Sequence, residues 1–257
     1  MAAELNAGTL GKGEYAWFLL EQIEDGVMEI ADNISLCDGH LNVYSRRVAL
    51  KLYEIGILTE SIMKDMVNDD YLDGFVDSKI LQEARKPSAK IISFEPLLRS
   101  VFDVEKRTVL FRLFTYEKSF MPFSTFGSKS VSPGWWETYQ HVKHDFFHNV
   151  AEASVKQLLE GSAAVFLLTM LCRLYWPALV SKHRITFGFM QQTVDHQGGC
   201  ALACETLWDA IPARNGVRKV HKGWPISILG KSRLFSATLA TFNHDKYEYE
   251  FPHCHKS

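Results

Sequence analysis

The chain has 257 residues, 47% of them hydrophobic, which is ample material for a sizeable core without disulfide staples. Its 28 basic and 30 acidic residues give a formal charge of −2, so no global field draws it to nucleic acid or to an anionic membrane. Five scattered cysteines, Cys37, Cys172, Cys200, Cys204 and Cys254, suggest no disulfide framework and point to a reducing cytoplasm. Glu4, Glu14 and Glu21 interrupt the N-terminal apolar pieces, and secretion is not expected.

Residues 1–13, with three glycines, read as a loose start. Trp17, Leu20, Ile23, Val27 and Ile30 have helical spacing and predict a helix over 14–34, closed by Cys37, Asp38 and Gly39. Ser45 is the expected N-cap of a second helix reaching Asn68, whose Val48, Leu52, Ile55, Thr59, Ile62 and Met66 form a core-facing stripe. Glu60 and Lys64 lie one turn apart on its flank.

Beyond Pro87 the β-branched and aromatic content rises. Ile91, Ile92 and Phe94 predict one strand and 108–114 a second, with 103–107 as the turn between them. Residues 122–134 read as a loop leading to the densest polar chemistry of the chain, 135–149. As one continuous helix, that stretch puts Trp135, Tyr139, Val142, Phe146 and Val150 on an apolar face, with Glu137, His141, His144 and His148 opposite. A further helix over 151–175, apolar on every side in its second half, belongs in the middle of a bundle and should end at Pro177. Arg173 and Pro177 leave it short of the roughly 20 apolar residues a membrane span needs. In the last third, 185–190, 236–242 and 247–251 read as strands and 201–210 as a short helix.

Three sets of residues carry candidate chemistry. His141, His144 and His148 step by three and four, either as an exposed polar face or as metal ligands; the polar face is the preferred reading, and no metal is expected. Lys143 falls inside the apolar arc, where an unpaired ammonium is costly, so it must reach the surface or meet a carboxylate, for which Glu60 is the candidate. Arg214, Arg218, Lys219, His221 and Lys222, then Lys231 and Arg233, form the most basic region, interleaved with Trp224. It is either a phosphate-backbone contact or a solvated loop.

Trp135 and Trp136 either stack on nucleobases or anchor a helix start. Cys200, Cys204 and His196, and the tail His253-Cys254-His255, lack the paired spacing of a zinc site. No Gly-rich phosphate loop, nucleophile elbow or zincin motif is present, and no cofactor is expected.

The string Trp135-Trp136-x-x-Tyr139-Gln140-x-Val142-Lys143-His144-Asp145, followed by an apolar alanine-bearing helix and preceded by the Ser45–Asn68 helix, resembles the HEPN (higher eukaryote and prokaryote nucleotide-binding) superfamily over roughly 40–176. The resemblance implies an α+β protein with a mainly α-helical HEPN-like bundle over 14–180. Outside the resemblance, the strand patterns themselves add a β insertion near 88–120 and a mixed α/β addition over 181–257. The resemblance also implies a homodimer and an RNA-directed role in a bacterial or phage conflict system, as a defence or toxin protein. Active members are metal-independent endoribonucleases in which an Arg is followed after four to six residues by a His.

Here the positions before His144 hold Glu137, Thr138 and Tyr139, and the position before His148 holds Lys143, a point charge in place of a planar fork. Carried over by resemblance, Lys143, His144 and His148 are the catalytic candidates, supported by Glu60, Tyr139 and Asp145. Histidine's ordinary pKa of about 6.5 suits acid and base roles. Arg214, Arg218, Lys219 and Lys222 would hold nucleic acid. The alternative is a non-catalytic helical interaction module that binds a protein or nucleotide.

Overall fold

The computed structural model describes residues 11–74, 76–127, 131–189, 217–219, 226–241 and 248–250. In chain order the elements are helices α1 (Lys12–Asn33), α2 (Arg46–Val67), α3 (Ser78–Ala84) and α4 (Ile91–Phe102), strands β1 (Val109–Leu113) and β2 (Tyr116–Phe120), helices α5 (Gly134–His144), α6 (Phe146–Asn149), α7 (Val155–Leu171) and α8 (Trp176–Ser181), and strands β3 (Ile185–Phe189), β4 (Val217–Lys219), β5 (Ile226–Lys231), β6 (Phe235–Thr241) and β7 (Glu248–Glu250). The fold is α+β and mainly helical, with a five-stranded antiparallel sheet in the order β2-β1-β6-β5-β3 and a separate β4–β7 pair.

Helix α7 is the axis of the molecule. From Gly161 to Leu171 every residue is buried, as an all-apolar helix requires. It packs on α1, α2 and α5 on one side and on β1 and β6 on the other. The Phe166 and Phe235 rings stack with centroids 5.8 Å apart across the join between helices and sheet. Among the described residues no single helix is long and apolar enough to cross a membrane.

Helix α2 forms as its pattern dictates. The Ser45 hydroxyl accepts the Val48 N–H at 3.2 Å, and all six residues of the predicted stripe are buried. Strands β1, β3, β6 and β7 fall at the expected places. The hairpin β1–β2 and the C-terminal β5–β6 share one sheet through the pairing of Val109 with Ala237. The expected helix over 201–210 lies outside the described residues.

Four local expectations are corrected. Residues 91–94 are the start of helix α4 and not a strand, because Ile91, Phe94, Leu98 and Phe102 recur on one buried helical face. Residues 103–107 are consequently no hairpin turn: Asp103 ends α4 in the left-handed region at φ 49°, and the hairpin turns at Phe114, φ 53°. The continuous helix over 135–149 is broken at Asp145, whose backbone is extended (φ −149°, ψ 85°) and whose carboxylate accepts the His148 N–H at 3.3 Å as the cap of α6. The helix predicted to run to Tyr175 ends at Leu171, and Pro177 opens α8 instead of ending a helix, in the position where its missing N–H costs nothing.

Candidate functional site

Three segments enclose a cleft of about 590 Å³: the outer flank of α2, the link into α4 with its first turn, and the solvent side of α5. Glu60, Met63 and Lys64 come from α2, residues 87–92 and Phe94 from the link and α4, and Trp136, Glu137, Gln140, His141, Lys143 and His144 from α5.

The approach of α5 to α2 depends on Gly56. A Cβ built there would lie 2.2 Å from Cδ2 of Tyr139, so only glycine lets the Tyr139 ring lie flat on α2. Trp135 and Trp136 are both buried; the Trp135 indole N–H donates to the Pro122 carbonyl at 2.9 Å, and the Trp136 ring meets Tyr139 edge-on at 5.1 Å. The pair therefore anchors the helix start in the core.

One turn along α2 from Gly56 stands Glu60, and one turn along α5 from Tyr139 stands Lys143. The Glu60 Oε1 accepts the Tyr139 hydroxyl at 2.9 Å and the Lys143 ammonium at 2.8 Å. The carboxylate expected from helical geometry is thus the partner. Lys143 is not sealed in: its side chain keeps 34% of its exposure and Glu60 keeps 29%. The Lys143 Nζ also sits 5.3 Å from the Tyr139 ring centroid. The Glu60 carboxylate raises the Lys143 pKa above its ordinary value. Burial, opposed by Lys143 and helped by Glu60, pushes the Tyr139 phenol up to about 12.

The histidines part company. His144 opens into the cleft and has no hydrogen-bond partner among the described residues. His141 is at the rim, its Nδ1 2.6 Å from a Glu152 carboxylate oxygen. His148 belongs to α6, beyond the break, with its Nδ1 2.7 Å from Asp145. That contact, with the backbone cap, lowers the Asp145 pKa. Glu60, Lys143 and His144 are therefore brought to one cleft with Tyr139 behind them, while His148 and Asp145 do not line it. Among the described residues no three His, Cys, Asp or Glu side chains are grouped to hold a metal ion.

Arg214 and Lys222 lie outside the described residues, as do His221, Trp224, His196, Cys200, Cys204, His253, Cys254 and His255. Arg218 and Lys219 are described only as part of strand β4. Arg233 is committed elsewhere, its guanidinium 2.8 Å from Asp25 and its NH2 group donating to the Glu21 carbonyl at 2.9 Å. Cys172 is a free buried thiol, pushed up to about 12 by that burial.

Lys64 and Lys90 were not foreseen as site residues. Both are exposed, line the cleft and have no acidic partner among the described residues. Lys90 precedes the first turn of α4, where free backbone N–H groups add positive potential. A signal existed in the sequence for each: Lys64 at i+4 from Glu60, and Lys90 directly before the Ile91, Phe94, Leu98 repeat. The cleft walls thus combine three lysines with two glutamates and two histidines, and Pro87, Ala89 and Ile92 supply apolar surface beside them over the buried Met63, Ile91 and Phe94.

No protein-family model, curated protein or solved structure matches the chain.

Proposed function

We propose that the cleft between α2, α4 and α5 binds a phosphate-bearing ligand of the RNA or nucleotide class, and that the protein is an RNA-directed component of a bacterial or phage conflict system. The observation that carries the reading is the opening of Lys143 and His144 into one cleft with Lys64 and Lys90. Lysines are point-charge binders of phosphate, and the apolar wall beside them offers a surface for a base or ribose. The cleft volume of about 590 Å³ falls within the roughly 300–1,000 Å³ of small-ligand sites, enough for one nucleotide or one nucleotide unit of a strand. The conflict-system role and a homodimeric state rest on the HEPN resemblance of the 135–145 string.

If the ligand is cleaved, the chemistry falls to two groups. Lys143 neutralises charge on the scissile phosphate, and His144, free of a competing partner, takes the proton of the attacking ribose hydroxyl or returns one to the leaving oxygen. No metal enters this step.

A second reading has its own support. Lys143 is already engaged by Glu60 and by the Tyr139 ring, an arrangement that equally suits a non-catalytic module whose cleft binds a nucleotide or a protein.

Cleavage of varied RNAs by purified protein, with and without chelator, separates the two, beside Lys143→Ala, His144→Ala and His148→Ala variants checked for folding. Metal-independent cleavage lost in folded Lys143→Ala and His144→Ala but kept in His148→Ala is the outcome this geometry requires. Binding without cleavage favours the non-catalytic module. Absence of both removes the RNA reading.

A further inference from the structure

Of the three lysines lining the cleft, Lys143 alone has a carboxylate partner among the described residues. Resting on the phosphate-binding reading above, we propose that Glu60 is an internal counter-anion: it holds Lys143 in the empty cleft, yields it to an incoming phosphate, and so sets the affinity of the site.

Three features make the exchange feasible. The ion pair is partly hydrated on both sides, at 34% and 29% side-chain exposure, so breaking it forfeits little. Lys143 carries its charge on a flexible four-carbon stem with three donors, of which Glu60 takes one, and the side chain can swing toward the cleft without moving α5. Most tellingly, Glu60 is not orphaned when Lys143 leaves. The same Oε1 still accepts the Tyr139 hydroxyl, and Tyr139 cannot follow, because its ring is clamped between Gly56 and Trp136. Tyr139 thus works as a resident donor that keeps the carboxylate satisfied in both states. A lysine with no such competitor, like Lys64 or Lys90, attracts any anion, whereas Lys143 is released only to a ligand that outbids a carboxylate.

Glu60→Gln isolates the charge, since the amide oxygen still accepts the phenol while the competing anion is gone. The test is calorimetric titration of adenosine monophosphate and, separately, of a short single-stranded RNA into full-length wild type, Glu60→Gln, Lys143→Ala, the double variant and Tyr139→Phe, with thermal melts confirming each fold. Glu60→Gln is expected to tighten binding by about three- to fivefold, the scale of one partly exposed ion pair. The double variant should lose that gain and match Lys143→Ala. Tyr139→Phe, which leaves Glu60 dependent on Lys143, should weaken binding by about threefold.

Wild-type binding that is unchanged or weakened by Glu60→Gln overturns the counter-anion proposal, making Glu60 a positioning residue while the cleft remains a phosphate site. Binding of neither probe by wild type or by any variant overturns both readings.

Discussion

Tyr139 joins the dry and the wet halves of the site: its ring is fully buried against α2 while its hydroxyl reaches a carboxylate on the cleft wall. Burial is the larger cause of its raised pKa, about 12 against an ordinary 10.0. The sign of the linked stability follows. In the unfolded chain the phenol ionises from pH 10 upward, whereas the folded protein holds the proton until about 12. The contribution of Tyr139 is therefore complete below pH 10 and is lost as pH rises through that window. Phenolate absorbance of wild type minus Tyr139→Phe should show one tyrosine titrating near 12, and alkaline unfolding should be shallower in the variant. A difference spectrum centred at 10 would place the phenol in water and contradict its packing.

Between elements, the decisive contact is the α2–α5 crossing at Gly56. Alanine is the better helix former by up to about 1 kcal/mol, so Gly56→Ala would stabilise an isolated α2. In the folded protein its Cβ meets the Tyr139 ring at 2.2–2.4 Å, and Trp136 and the core leave the ring no room to retreat. Overpacking of this kind costs about 1–3 kcal/mol and outweighs the helix gain. Denaturant unfolding should show net destabilisation, with weaker probe binding because Tyr139 and Lys143 are pushed off Glu60. A gain in stability would mean the two helices separate freely.

The same crossing shows what the sequence made legible. The six-residue stripe of α2 was readable from helical periodicity, whereas Lys143 meets the expected Glu60 although it stays exposed, so the cost of burying charge is not what joins them. Helix α4 was not readable, since Ile91-Ile92 favours a strand locally and Pro96 interrupts the helical pattern that tertiary burial nevertheless selects. The break at Asp145 was hidden for another reason. Periodicity tolerates an aspartate in a helix, and only its capping of the His148 N–H, competing with the helical bond, decides the matter. Lys64 and Lys90 come to line one cleft only once α4 is a helix, so a misread element also concealed part of the site.

At the scale of the molecule, the question is whether the sheet and the helices stand or fall together. Glu24 on α1 is fully buried. Its Oε1 accepts the Ser232 hydroxyl at 2.5 Å and the Leu234 N–H at 3.0 Å in the β5–β6 turn, with the Arg233 Nε 3.5 Å from its other oxygen. Toward the other end of β6 Arg107 donates to the Phe102 carbonyl at 2.9 Å and to the Leu239 carbonyl, binding the end of α4 to β6. At the β2 edge the Asp38 carboxylate accepts the Tyr116 hydroxyl at 3.0 Å and the Lys118 ammonium at 2.7 Å, so polar contacts pin the sheet to the helical part at several places, while α7 packs its apolar side chains between them. Glu24→Ala leaves the Leu234 N–H buried without an acceptor, while the Ser232 hydroxyl keeps the Phe235 carbonyl at 3.3 Å, and the change should cost about 1–3 kcal/mol. Arg233 limits the damage because it is partly exposed and keeps Asp25. Since Phe235 and Phe166 stack across the same boundary, loosening the turn should not release the sheet alone. A single unfolding transition is expected, shifted to lower denaturant for both near-ultraviolet and far-ultraviolet signals. Two separated transitions, with amides of β5 and β6 exchanging well before those of α2 and α7, would show that the sheet is an independent layer and that the cleft owes its shape to the helices alone.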